Sequence, residues 1–166
     1  MGVAGCGKSS IGRALADAIG ASYLEGDEFH PAANVARMAA GIPLTDADRA
    51  GWLSALSARL AQGCAQGERM VLACSALKRS YRDRLREGDP QLYFVHLSGS
   101  RALIAERMSQ RHGHYMPLSL LDSQFRDLEP PGPDEQAYTC DIGAAPEVLC
   151  RQVLAHLYGD TPPGSF

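Results

Sequence analysis

The sequence predicts an α/β fold in which helices flank a doubly wound parallel sheet. Three observations carry that reading. Short apolar strands alternate with helical segments along the chain. Met70-Val71-Leu72-Ala73-Cys74 is an unbroken apolar run, as expected of a strand buried on both faces. A glycine-rich stretch at the start, Gly2-Val3-Ala4-Gly5-Cys6-Gly7-Lys8-Ser9, leads directly into a helical pattern.

Taken in order, Ser9 to Ile19 carries Ile11, Leu15, Ala18 and Ile19 at helical spacing, with Gly20 as a stop signal. Ala21 to Glu25 is a short strand. Pro31 to Ala40 and Asp46 to Gln62 read as helices, the second capped by Thr45-Asp46-Ala47-Asp48. After the Met70–Cys74 strand come a helix over 78–86, a strand over 92–97 and a helix over 101–110. Residues 111–117 form a Gly/His/Pro-containing break before a helix over 118–128. A strand at 139–142, a helix at 147–158 and a frayed tail at 159–166 complete the chain.

The 166 residues suit one compact domain, and 45% hydrophobic with 21% charged residues excludes disorder and fibrous repeats. A net charge of -3 argues against a general nucleic-acid binder. No apolar run is long enough to cross a bilayer, and the first residues lack signal-peptide character. Five cysteines without a C-x-x-C pair read as reduced thiols. A cytoplasmic, single-domain protein is expected.

The opening stretch satisfies G-x-x-x-x-G-K-[ST] in full. Its main-chain amides, together with the positive end of the following helix, are suited to hold phosphate oxygens. Gly2, Val3, Ala4, Gly5, Cys6, Gly7, Lys8, Ser9 and Ser10 are therefore the expected nucleotide-phosphate site. Lys8 should reach the terminal phosphates and Ser9 should ligate Mg²⁺. A glycine-rich turn that only starts a helix is the competing reading. A central strand should precede such a loop, yet only Met1 stands before Gly2. The expectation is that upstream residues supply that strand. The Cys6 thiol, at a helix N-terminus beside Lys8, is expected to be open to oxidation.

Glu25 and Asp27 follow the first strand, where ligands gather in open α/β sheets. They are candidates for holding magnesium and, for Asp27, accepting a proton from a hydroxyl. Solvated acids in a turn would look the same. His30 is either a substrate hydrogen-bonder or a helix-start residue. Lys78, Arg82 and Arg86 fall at i, i+4, i+8, which suits either a solvated face or pairing with an anionic substrate. Arg107 and Arg111 lie four apart beside the 111–117 break, suited to stack on a base and to meet phosphates from a mobile lid over about 111–124.

These residues resemble the small gluconokinases, relatives of shikimate kinase and the nucleoside monophosphate kinases. The resemblance runs from Gly2 to about His156 and is most specific at residues 26–31, 41–49, 52–53, 74–83, 111–116, 120–125 and 128–130. It implies a three-layer P-loop kinase fold with a small helical lid, and MgATP-dependent phosphorylation of the 6-hydroxyl of D-gluconate by a cytoplasmic homodimer. It also implies roles: Lys8, Asp27 and Arg111 in catalysis, and Arg107 and Pro146 beside adenine. The acceptor would meet Asp27, His30, Arg49, Ser75, Lys78, Arg82, His114 and Gln124, with Ser9, Glu25 and Asp27 on the metal side. The alternatives are a kinase for another small anionic acceptor such as shikimate, a non-enzymatic nucleotide-binding regulator, and a nucleic-acid-processing ATPase.

Overall fold

The computed structural model describes residues 1–110 and 118–159. Four strands and seven α-helices alternate in it: α1 (Lys8–Ile19), β1 (Ser22–Glu25), α2 (Ala32–Ala39), α3 (Asp46–Ala65), β2 (Met70–Ala73) and α4 (Arg79–Arg86) form the first half. The second half holds β3 (Phe94–Ser98), α5 (Arg101–Ser109), α6 (Leu118–Asp127), β4 (Ala137–Asp141) and α7 (Pro146–Tyr158). A 3₁₀ turn, Gly26–Phe29, follows β1, where the periodicity gave no signal. The capping box of α3 is formed as expected: Thr45 accepts from the Asp48 amide, and the Asp48 carboxylate accepts from the Thr45 amide.

All strand pairing is parallel. β1 pairs with β2 from Ser22↔Met70 to Glu25↔Ala73, and β3 pairs with β4 from Phe94↔Ala137 to Ser98↔Asp141. The expected sheet is thus present as two parallel pairs, and Met1 and Gly2 occupy the seam between them. The Met1 nitrogen donates to the Val95 carbonyl, the Leu97 amide donates to the Met1 carbonyl at 3.0 Å, and the Gly2 amide donates to Ser75 at 3.1 Å. Two residues bridge the pairs at one end, beside a mainly apolar cavity of about 270 Å³ lined by β2, β3 and α1.

Strand ends shift from the expected positions because pairing decides them. β3 starts at Phe94 instead of residue 92, since Asp89–Leu92 closes a turn and Gln136 provides the first partner carbonyl. β4 extends back to Ala137 for the same reason.

Burial divides the core into two clusters. Val3, Ile11, Leu15, Leu97, Ile104, Ile142, Leu149 and Val153 join α1, α5 and α7 to the β3–β4 pair. Trp52, Leu56, Leu60, Tyr81, Leu85 and Phe94 pack α3 and α4 on the other side. Each fully buried aliphatic or aromatic side chain contributes roughly 1.5–3 kcal/mol. These clusters fix where the ends of β1, β2 and the first loop meet. Expected residues 111–117 of the lid and 160–166 of the tail lie outside the described residues, and 118–124 belong to α6.

Candidate active site

The site forms where the first loop faces the carboxyl ends of β1 and β2, the usual ligand position in an α/β sheet. Gly2 turns the chain with φ 137°, and a Cβ there would stand 2.7 Å from the Leu97 carbonyl oxygen. A larger residue at this position meets both backbone strain and a backbone clash. α1 then rises from Gly7, directing its N-terminal amides toward the loop. The Lys8 ammonium donates to the Val3 carbonyl at 3.0 Å, and the Ala4 amide donates to Gln124 Oε1 at 2.6 Å.

The opposite wall is the 3₁₀ turn after β1. Gly26 sits against β2 so closely that a Cβ would lie 2.6 Å from the Ala73 carbonyl oxygen. Trp52 of α3 donates its Nε1–H to the Gly26 carbonyl at 2.7 Å. Those two contacts hold the turn from which Asp27 and His30 join the lining of a cavity of about 90 Å³. Lys8, Asp27, His30, Arg49, Ser75 and Gln124 share its lining, so one small space collects two cations, an acid and three hydrogen-bonding groups. Leu44, Trp52 and Leu77 supply apolar walls.

Electrostatics separate the groups further. Arg49 is only 9% exposed; it donates to the Tyr81 hydroxyl at 3.1 Å and pairs with Asp127 at 3.5 Å. Burial lowers the His30 pKa below 6.5, outweighing the raising effect of Asp27. Tyr23, pushed up to about 12 mainly by burial, donates to Glu25 at 2.7 Å, and Arg13 approaches the same carboxylate at 4.0 Å. A buried cation and an exposed acid lining one small cavity suit an anionic acceptor carrying hydroxyls.

A family model described as an AAA domain matches residues 1–131. A gluconokinase of Gluconobacter oxydans (strain 621H) is 44% identical over 160 residues, spanning 96% of this chain and 90% of its own. The crystal structure of a gluconokinase from Sinorhizobium meliloti 1021 matches with a TM-score of 0.87 at 49% identity, over 95% of this chain and 88% of that one. A sugar kinase from Janibacter sp. HTCC2649 matches with a TM-score of 0.92 at 45% identity, over 98% and 93%. The chain belongs to the gluconokinase family.

In this gluconokinase-family chain the structure brings together some of the residues marked in the sequence and sets others apart. Ala4, Lys8, Asp27, His30, Arg49, Ser75 and Gln124 converge on one cavity. Arg107 donates to the Ile142 carbonyl at 2.6 Å, which places it beside the turn that leads to Pro146 at the start of α7. Arg111 and His114 lie outside the described residues. Glu25 stands apart from the cavity lining, engaged with Tyr23 and Arg13.

Two expected acceptor contacts are not brought to the cavity. Lys78 is paired with Asp46 at 2.7 Å, a carboxylate that also accepts a short hydrogen bond from the Tyr81 hydroxyl. Arg82 is 1% exposed and its guanidinium is spent on Glu135 and on the carbonyls of Ala76, Leu77 and Glu129. These bonds tie it to the loop after β2, where Ala76 holds φ 43°. It is not part of a solvated face, and it does not line the cavity. The Cys6 thiol, expected to be open to oxidation, is 2% exposed and packed in the core.

Sequence reasoning assigned no role to Trp52, Asn34, Tyr81 or Asp127. Arg49 and Trp52 at i, i+3 in α3 were an available signal, since such pairs share a helix face.

Proposed function

We propose that this chain transfers the γ-phosphoryl group of ATP to the 6-hydroxyl of D-gluconate, giving 6-phospho-D-gluconate and ADP. The observation that carries the reading is the shared cavity: the loop lysine, Asp27 and the buried Arg49 all line it. The oxygen–phosphorus bond to the sugar acid forms as the β,γ-bridging bond of ATP breaks. Asp27 orients the hydroxyl and accepts its proton as the new bond forms. Lys8 and the loop amides counter charge on the phosphate oxygens, and Arg111 closes over the γ-phosphate. Arg107 and Pro146 flank the adenine.

Gluconate offers one carboxylate and a row of hydroxyls. Arg49 matches the carboxylate; His30, Ser75, His114 and Gln124 match the hydroxyls. Magnesium fits the residues present: Ser9 at the exposed start of α1 and Asp27 in the cavity could hold it. Among the described residues no three His, Cys, Asp or Glu side chains form a metal cage, as suits an ion held mainly by substrate phosphates and water. When bound, it neutralises charge on the β- and γ-phosphate oxygens. The chain acts in the cytoplasm as a homodimer on this reading, needing neither nucleic acid nor a membrane. Among the described residues no helix is long and apolar enough to cross a bilayer.

An acceptor screen with coupled ADP detection tests the assignment. ADP should appear with magnesium, ATP and gluconate together, and at background rates when gluconate is omitted. A preference for shikimate over gluconate would overturn it; the relatives named above give that alternative no support. Arg49→Gln should raise the gluconate KM about 10–100-fold, the scale of one charge-assisted hydrogen bond, with the ATP KM within about twofold. An unchanged gluconate KM would remove Arg49 from the carboxylate site.

A further inference from the structure

We infer that Asn34 is a positioning residue that fixes the tautomer of His30, so that the imidazole offers its Nε2–H to a hydroxyl oxygen of the sugar acid. The inference rests on the function proposed above and identifies one group that reads the polyol chain.

Asn34 lies in the first turn of α2 and is 5% exposed. Its amide nitrogen donates to the Asp48 carbonyl oxygen at 2.7 Å. A carbonyl only accepts, so this contact sets which way the amide faces. The same nitrogen stands 3.5 Å from His30 Nδ1. A proton on Nδ1 would set two donors against each other. An unprotonated Nδ1 receives the second amide hydrogen, and the single ring proton of the neutral imidazole then sits on Nε2.

The ring plane is fixed from a different element. Trp52 of α3 stacks on His30 with centroids 4.3 Å apart and planes 13° from parallel. The indole is itself held by its hydrogen bond to Gly26. Asp27, from the turn that leads into His30, and Arg49, from α3, are the charged groups whose fields reach the ring. Burial lowers the His30 pKa and so disfavours the charged imidazolium.

His30 and Asp27 line the same cavity and offer opposite halves of a hydrogen-bonding pair. A hydroxyl can satisfy both, donating its proton to the carboxylate and accepting from the imidazole. A carboxylate placed there would be repelled by Asp27, which leaves that group to Arg49. Fixing the tautomer therefore selects which part of the acceptor lies at this end of the cavity.

Multiple-bond ¹H–¹⁵N spectra of the intact labelled chain read imidazole tautomers directly, with His30 assigned by its loss in His30→Gln. The expected wild-type spectrum has Nε2 protonated and Nδ1 bare. Asn34→Asp replaces the donor by an acceptor. It should move the proton to Nδ1 and raise the gluconate KM about tenfold, with the ATP KM within about twofold. Asn34→Leu provides a second variant if the aspartate disturbs folding; it should mix the two tautomers and raise the same KM. A wild-type ring protonated on Nδ1 overturns the inference. So does a tautomer switch in the variant with an unchanged gluconate KM. The spectra need no substrate, so a failure of wild-type gluconate turnover would overturn the acceptor assignment while the tautomer result stood by itself.

Discussion

Replacing Asp27 with asparagine is expected to lower kcat with gluconate about a thousandfold, within the usual range for removal of a positioned base. Asparagine keeps the shape and a hydrogen-bonding oxygen but no longer takes a proton. Because Asp27 sits on the turn held by Trp52 and Gly26, outside the phosphate loop, the loop amides and Lys8 stay in place. ATP affinity, read by calorimetry, should therefore change by no more than about threefold. Wild-type turnover in the variant would remove Asp27 from the proton-transfer role.

The second large effect is on stability. Arg82→Leu leaves Glu135 in the core with its bidentate partner gone, an arrangement that typically costs about 3–5 kcal/mol. Arg86 still reaches Glu135 at 3.2 Å, which places the expected loss near the lower end, about 3 kcal/mol. In a domain of this size that corresponds to a fall in Tm of roughly 10 °C. Arg82→Met with Glu135→Leu removes both charges and should recover much of the loss. A single variant as stable as wild type would show that the pair does not hold the fold.

The same pair makes a prediction in pH. The guanidinium of Arg82 holds the Glu135 carboxyl well below its ordinary 4.5, at about 2, against an opposing effect of burial. A carboxyl with a depressed folded-state pKa contributes stability that is present above its unfolded value and lost as pH falls through the folded one. Denaturant midpoints should therefore decline between about pH 5 and pH 2, and the double variant should show a shallower decline across that window.

Arg82 also marks the limit of what spacing can reveal. At i, i+4, i+8 with Lys78 and Arg86 it has the signature of a charged face, and nothing in that stretch points to Glu135, 53 positions later. Lys78 is similar, because its partner Asp46 lies 32 positions earlier. Charge pairs across such distances exist only once α3, α4 and the segment after α6 have packed. A strand was expected to lead into the phosphate loop, and Met1 and Gly2 bond to β3 and to Ser75 just after β2. How the two strand pairs meet there was not visible, because backbone pairing across them depends on both halves being folded.

The phosphate loop, the α/β alternation, the capping box of α3 and the placing of Asp27 after β1 were legible from residues alone. Each is written in a few neighbouring positions, through backbone freedom at glycine, apolar periodicity or a side chain capping its own helix. Tertiary structure decided which cations line the cavity. It committed Arg82 and Lys78 to distant carboxylates and left Arg49 buried at the cavity, because desolvated charges must find partners wherever the packed chain brings them.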